Sequence, residues 1–182
     1  MRSIKSKKCK ECGESFTPFK STQIVCSHQC AVKLAEQKVW KEKKKVMIEN
    51  TRTRTEWLSI LQVIFNKYIR LRDAKQPCIS CDRPLGAKYD AGHFFSVGSY
   101  PNLRFDESNV HGQCVYCNQH QHGNHIEYGL RLPVRIGEYH YTRLMNKRGN
   151  ALKLTLDEIK ELIKVYKLKI KEHDKKRTDN RI

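Results

Sequence analysis

The chain has 182 residues and a formal net charge of +17, from 36 Lys and Arg against 19 Asp and Glu. This length suits one ordinary domain or two small ones, and the excess charge favours a polyanion, above all nucleic acid, as the partner. No stretch approaches the ~20 apolar residues of a membrane helix. The basic N-terminus also reaches Cys9 without an apolar signal segment. We therefore expect neither membrane insertion nor secretion.

Eight cysteines stand in four close pairs, and this spacing indicates metal sites rather than disulfides. The pairs are Cys9/Cys12, Cys26/Cys30, Cys78/Cys81 and Cys114/Cys117. Two thiolates from one short turn reach the same tetrahedral ion, whereas a disulfide framework does not need cysteines in close pairs. We predict two structural Zn²⁺ ions, one for each set of four. Free thiolates also imply a reducing, cytoplasmic compartment.

The first two predicted segments are a zinc module over residues 1–30 and a helical middle over residues 31–76. The zinc module, of ribbon or treble-clef-like type, has too few apolar residues to fold without its ion. A basic connector follows, with four lysines between Lys41 and Lys45. The lysine run is either a solvated helix face or an arm that follows phosphates. An amphipathic helix over 55–73 then shows apolar residues at helical spacing.

The last two predicted segments are a second cysteine-containing domain over residues 77–130 and a C-terminal part over 131–182. Within this domain we predict a short strand over 89–95, a second short strand over 110–113 and a helix that begins at Cys117. Glycines and Pro133 predict loop and short strand over 130–150. Thr155 and Glu158 form a capping box that opens a helix over 155–173. The predicted fold is a helix-rich α+β protein with a zinc-stapled ββα-metal domain.

Polar residues between the cysteines of the second set follow the pattern of an HNH, or ββα-metal, nuclease. His93 would act as general base on a water molecule, and Asn109 would orient it through the backbone or a ring nitrogen. Asn118 directly follows Cys117 and would hold a divalent ion against the scissile phosphate. Oxygen and nitrogen donors favour Mg²⁺ or Mn²⁺ for this third, labile ion.

The position before His93 departs from this pattern. Many HNH enzymes carry an acidic residue or histidine there as a metal ligand, and this chain has Gly92. Asp90 is a substitute, but positions 90 and 93 of a regular strand point to opposite faces. We therefore expect Asp90 to bind the ion only if the strand bulges at Gly92. His122 and His125 remain rival ligands.

Several runs of residues resemble the NinG (Rap) recombination family of lambdoid phages. They are 91–94, 103–111 and 113–118, together with the N-terminal pair Cys9 and Cys12. The resemblance implies a structure-directed endonuclease that cleaves Holliday junctions, D-loops and related branched DNA during phage recombination. A more distant similarity to phage endonuclease VII, in which an Asn after the last zinc cysteine binds the catalytic metal, implies the same role for Asn118.

Other functions remain open at this level. A non-catalytic zinc protein that binds DNA as an annealing or recombination accessory factor would need both cysteine sets and the positive charge. It would not need His93, Asn109 and Asn118 in register. An HNH enzyme for linear duplex DNA and a zinc protein that binds RNA are further alternatives, although no helix-turn-helix for reading bases is evident. Two symmetric cuts in a four-way junction would require a homodimer.

Overall fold

The computed structural model describes residues 5–149 and 151–179, which divide into two compact units, one up to Arg52 and one from Thr53. The strands are β1 (Lys7–Lys8), β2 (Ser15–Phe16), β3 (Tyr89–His93) and β4 (Val110–Cys114). The helices are α1 (His28–Thr51), α2 (Arg54–Arg72), α3 (His125–Ile136), α4 (Glu138–Asn146) and α5 (Leu156–Asp179). None of these described helices combines the length and the apolar character that crossing a bilayer requires.

The first unit is built around a cysteine cluster beside the β1–β2 hairpin. All four Sγ atoms lie within 4.8 Å of one another, those of Cys9, Cys12, Cys26 and Cys30. The Sγ atom of Cys26 lies 3.6 Å from that of Cys12 and 3.6 Å from that of Cys30. A tetrahedral Zn²⁺ with bonds of ~2.3 Å separates its sulfurs by about 3.8 Å, so this cluster fits the predicted ion.

Helix α1 follows this cluster and confirms a helix in the basic connector. The Ser27 hydroxyl accepts a hydrogen bond from the Cys30 backbone N–H at 3.2 Å and caps the first turn. The sequence of α1 is rich in Lys and Glu and has neither Gly nor Pro, which favours a helix. None of its residues is buried in the described structure, so the helix contributes no core of its own.

The core of the second unit lies between α2 and α5, as the apolar spacing predicts. Thr53 and Glu56 form a capping box at the start of α2. Helix α5 begins where predicted and runs six residues past the predicted end at 173. The buried residues of this core are Trp57, Leu58, Leu61, Phe65, Tyr68, Ile69, Val110, Ile159, Ile163, Tyr166 and Ile170. Because Val110 belongs to β4, the core holds one face of the β3–β4 hairpin against the two helices.

The prediction of loop and short strand over 130–150 was wrong, because α3 and α4 occupy most of that range. Pro133 lies inside α3, where its missing N–H removes one helical hydrogen bond. Tyr128 and Leu132, one turn apart, are both fully buried against a second apolar cluster, and this burial outweighs the loss. Gly137, at φ 81°, ends α3 and permits the turn into α4.

A second cysteine cluster fixes the β3–β4 hairpin at one end. The four Sγ atoms, of Cys78, Cys81, Cys114 and Cys117, lie within 4.8 Å of one another, and those of Cys81 and Cys114 are 3.8 Å apart. Cys114 ends β4, and Cys117 lies in a π-helical turn over Tyr116–His120. This turn stands where the sequence predicts the start of a helix. An ion held by these thiolates would join the loop after α2, the strand and the turn.

An ion pair at the end of α2 fixes the hairpin from its other side. The Arg72 guanidinium donates to both carboxylate oxygens of Asp73, at 2.7 and 2.9 Å. Asp73 also accepts from the Gly112 backbone N–H at 2.8 Å, and Arg72 donates to the Val110 carbonyl at 2.7 Å. Burial raises the pKa of Asp73, but Arg72 outweighs it and holds this pKa below its usual value. The pair therefore ties α2 to β4.

His111 is a buried structural residue on the other face of β4. Its Nδ1 lies 3.0 Å from the Tyr128 hydroxyl, which donates to the Gly92 carbonyl at 3.1 Å. Burial, with the charge of Arg72 nearby, lowers the pKa of His111 to about 3. The imidazole is therefore neutral at physiological pH, and it links α3 to both strands of the hairpin.

We expect His111 to make the protein less stable in mild acid. In the unfolded chain its pKa is ~6.5, so between pH 6.5 and about 3 the unfolded state binds a proton that the folded state does not. This contribution to stability is complete above pH 6.5 and is lost as the pH falls. His111→Gln removes the titrating group, so its free energy of unfolding should fall less between pH 7 and pH 5 in urea titrations. Equal pH dependence in the two proteins would contradict this account.

We expect Cys114→Ser to remove one ion and to destabilise the second unit. Structural Zn²⁺ contributes ~10–16 kcal/mol in small zinc modules, so losing one thiolate should lower the midpoint of thermal unfolding markedly. Elemental analysis should find zinc reduced from two ions to one per chain. Cys30→Ser is the matched control, because it affects the first cluster and should leave unfolding of the second unit unchanged. Full zinc content in Cys114→Ser would argue against the cluster.

Candidate active site

His93 is the last residue of β3, and its proton position is fixed by a backbone contact. Its Nε2 lies 3.0 Å from the Arg104 carbonyl oxygen. Because a carbonyl can only accept, Nε2 carries the hydrogen and Nδ1 keeps a lone pair. Burial, with a smaller effect of the Arg104 charge, lowers the pKa of His93 below its ordinary value. The half-buried ring is thus neutral at pH 7 and can accept a proton at Nδ1.

Arg104, whose carbonyl orients His93, is itself held against α2 by its side chain. Nε of Arg104 donates to Oε1 of Gln62 at 2.6 Å, and the guanidinium lies over the Phe105 ring, 5.2 Å from its centroid. Gln62 is held in turn by a hydrogen bond to Asn66 at 2.7 Å. The sequence pattern did not identify Gln62, because a polar residue on an amphipathic helix carries no signal for this role.

Asn109 is fully buried and acts through the backbone, which is one of the two routes expected from the sequence. Its Oδ1 accepts from the Phe95 N–H at 2.7 Å. Its Nδ2 donates to the carbonyls of Phe95 and Leu103, each at 3.0 Å. These contacts close the loop that leads from His93 to Arg104. Asn109 is therefore a positioning residue for His93.

Asp90 and Asn118 meet on the opposite face of the hairpin. Nδ2 of Asn118 donates to Oδ2 of Asp90 at 2.9 Å, and Nε2 of Gln119 donates to the same oxygen at 2.8 Å. The strands pair in unbroken register from Tyr89 to His93. The strand therefore has no bulge, and Asp90 and His93 lie on opposite faces as the sequence indicates. The π-helical turn brings Asn118 over the face on which Asp90 lies. His93 is not brought together with this pair.

The structure explains why a glycine precedes His93. A Cβ at Gly92 would lie 2.1 Å from Oε1 of Gln113, so the Gln113 side chain fills the space of the missing ligand. Nε2 of Gln113 donates to the Ser80 hydroxyl at 2.7 Å and to the Gly123 carbonyl at 2.6 Å. The Gly123 carbonyl needs a donor, and this requirement fixes the amide orientation. In the described structure, the buried Oε1 has no hydrogen-bond partner.

The Asp90 face of the hairpin presents oxygen donors rather than a complete ligand cluster. Gln113 pairs directly with Asp90 across the sheet, so its Oε1 belongs to the same face as the Asp90–Asn118 pair. Such oxygens suit Mg²⁺ or Mn²⁺. Among the described Cys, His, Asp and Glu residues, three or more ligand atoms converge at the two cysteine clusters alone. The rival ligands His122 and His125 are exposed and join no such group.

A positively charged pocket opens beside Asp90, between α2 and β3. It has a volume of about 470 Å³, and its lining includes the cationic side chains of Lys67, Arg70 and Lys88. The Tyr89 hydroxyl, which donates to the Arg70 carbonyl, forms part of the wall. Three cations next to one carboxylate give this side of the hairpin a net positive charge, which suits a phosphate backbone.

Comparison with known proteins identifies the family. The family profile described as "Bacteriophage Lambda NinG protein" matches residues 1–176. Protein ninG of Escherichia phage lambda is 34% identical over 189 residues, covering 91% of this chain and 92% of that protein. Protein ninG of Salmonella phage P22 is 36% identical over 154 residues, covering 72% and 76%. No solved structure is significantly similar to the chain. The chain therefore belongs to the NinG family of lambdoid phages.

Proposed function

We propose that this protein is a metal-dependent endonuclease of the HNH type that cleaves branched recombination intermediates such as Holliday junctions and D-loops. The proposal depends chiefly on His93, whose Nε2 hydrogen is committed to the Arg104 carbonyl and whose Nδ1 is left as an acceptor. A neutral imidazole held in one orientation is what a general base requires. Its place in a zinc-compatible hairpin, beside the buried Asn109, supports the same assignment.

In the proposed reaction, His93 removes a proton from water while the water oxygen attacks the phosphorus of a phosphodiester. The new P–O bond forms as the bond to the leaving oxygen breaks, and the leaving oxygen takes its proton from solvent. A bound Mg²⁺ or Mn²⁺ would neutralise the phosphate charge and stabilise the leaving oxygen. The residues that would hold it are Asp90, Asn118 and Gln113, through their side-chain oxygens.

The outer edge of β3 would allow residues on both faces of the hairpin to contact the same DNA strand. The sheet pairs β3 with β4 on one side, and β3 has no second neighbour among the described strands. His93 and Asp90 point to opposite faces, and both faces border this edge. A phosphate backbone that follows the edge would pass both residues. The basic pocket beside Asp90 would hold its neighbouring phosphates.

Branched DNA is proposed as the substrate from charge and from the family resemblance in the sequence. The net charge of +17 supplies sequence-independent affinity for phosphates. The sequence gives no evident helix-turn-helix for reading bases in the major groove. Recognition of DNA shape rather than sequence follows from this combination, and two symmetric cuts would require a homodimer.

We expect His93→Ala to lower the rate of junction cleavage by roughly two to four orders of magnitude, because it removes the general base. Zinc content, thermal stability and affinity for a synthetic four-way junction should stay nearly unchanged. Single-turnover cleavage with Mg²⁺ measures the rate, with EDTA as the blank. Cleavage at the parental rate, in protein free of host nuclease, would identify the chain instead as a zinc-stapled DNA-binding accessory protein.

Asn118→Ala is the informative contrast to His93→Ala, since it is proposed to weaken the ion site and not the base. Its defect should shrink as Mn²⁺ is raised, because mass action refills a weakened site. The defect of His93→Ala should not respond to Mn²⁺. Gln113→Ala and Asp90→Ala test the other two oxygen donors in the same titration. An Asn118→Ala defect that is independent of metal concentration would remove Asn118 from the ion site.

We expect Lys67→Ala combined with Lys88→Ala to weaken binding of junction and duplex DNA alike. Each lost phosphate contact should make the slope of log affinity against log salt shallower by about 0.9. Fluorescence anisotropy at several salt concentrations measures both quantities. The control removes the same charge from the exposed Lys164 and Lys171 on α5. Equal effects in the two double variants would mean that the pocket beside Asp90 has no special part in DNA binding.

A further inference from the structure

Helix α1 carries large apolar side chains that no other described part of the first unit covers. Val39, Trp40 and Met47 are exposed by 56%, 63% and 62%. Val39 and Trp40, together with Val32, line a shallow groove of about 460 Å³ along the helix. Exposed apolar surface of this kind on one side of a helix marks an interaction site.

The groove side of α1 is distinct from its lysine side. With 3.6 residues per turn, Val32, Val39, Trp40 and Met47 fall on one face, whose centre lies between Val39 and Trp40. Lys41 and Lys45 fall on the opposite face of the helix, and Lys44 lies on its flank. A partner at the apolar face would therefore leave Lys41 and Lys45 in solvent. The lysine run could still be a solvated helix face or an arm that follows phosphates, because neither role needs the apolar face.

The apolar face is complementary to itself when two copies run antiparallel. A two-fold axis through its centre brings Val39 and Trp40 together with their own copies in the partner, and it sets Val32 near the partner's Met47. The same axis sets Glu36 opposite the partner's Lys43. Every such pair occurs twice because the axis is two-fold. Apolar residues thus meet apolar residues, and each charge that lines the groove meets its opposite.

We propose that α1 is a homodimer interface, at which a second copy of this chain packs antiparallel with its axis between Val39 and Trp40. Charge complementarity between Glu36 and Lys43 selects a second copy over an unrelated apolar partner. The packing would also stabilise α1, since an exposed helix gains most of its stability from burying an apolar face. This interface places the two-fold axis that symmetric cleavage needs, but it does not depend on nuclease activity.

A charge-swap series on the intact, zinc-loaded protein tests the proposal. Glu36→Lys sets two lysines opposite each other on either side of the two-fold axis, and Lys43→Glu sets two glutamates opposite each other at the same places. Each single variant should weaken the dimer by at least about tenfold in dissociation constant. The double variant, Glu36→Lys with Lys43→Glu, restores opposite charges and should restore dimerisation. Sedimentation equilibrium without DNA measures all four proteins.

The control changes the same kind of charge on the other side of the helix. Lys41→Glu alters net charge as Lys43→Glu does, but Lys41 lies on the opposite face of the helix, so this variant should leave the dimer intact. Zinc content and helical circular dichroism show whether each variant is folded. A parent chain that stays monomeric at every concentration overturns the proposal, as does a double variant no better than the singles. Both readouts are independent of cleavage, so a failed interface and a failed nuclease assignment are distinguishable.

Discussion

An isolated two-stranded antiparallel sheet is only marginally stable in water, and β3 and β4 form such a sheet. The rest of the second unit holds this hairpin from several directions. Val110 enters the core of α2 and α5, Arg72 and Asp73 bind the backbone of β4, and Tyr128 contacts β3 from α3. The second cysteine cluster closes its end. Every proposed catalytic side chain lies on this hairpin or directly beside it.

This restraint lets small polar groups act with defined geometry. The direction of the His93 proton depends on one carbonyl, and that carbonyl depends on Gln62 and on the loop that Asn109 closes. On the other face, Asp90 receives two amide hydrogens from the turn that contains Cys117. The proposed base and the proposed ion ligands are thus positioned by separate contacts, so a variant on one face can leave the other intact.

The sequence predicted the parts of the fold whose signals are local. The apolar spacing of α2, the capping box at Thr155 and the close cysteine pairs each encode their structure within a few residues. The sequence failed over α3 and α4, since Pro133 and Gly137 indicate breaks while the burial of Tyr128 and Leu132 depends on distant partners.

For the candidate site, the sequence identified His93, Asn109, Asn118 and Asp90 but not how they meet. Whether Asn118 reaches Asp90 depends on where the turn after β4 crosses the sheet, which no local pattern specifies. Gln113 was not predicted for the same reason. In the sequence it is an ordinary strand residue, and its contact with Gly92 becomes evident only when the two strands are paired.

The contact between Gly92 and Gln113 has an evolutionary consequence. One position has no side chain because the other fills its space, so neither can change size alone without a clash or a cavity. Among NinG relatives, a side chain at the position of Gly92 should therefore be accompanied by a shorter residue at that of Gln113. Such a paired change would keep the total side-chain volume constant. The oxygen donor near the histidine could then come from β3 in some relatives and from β4 in others, on the same hairpin.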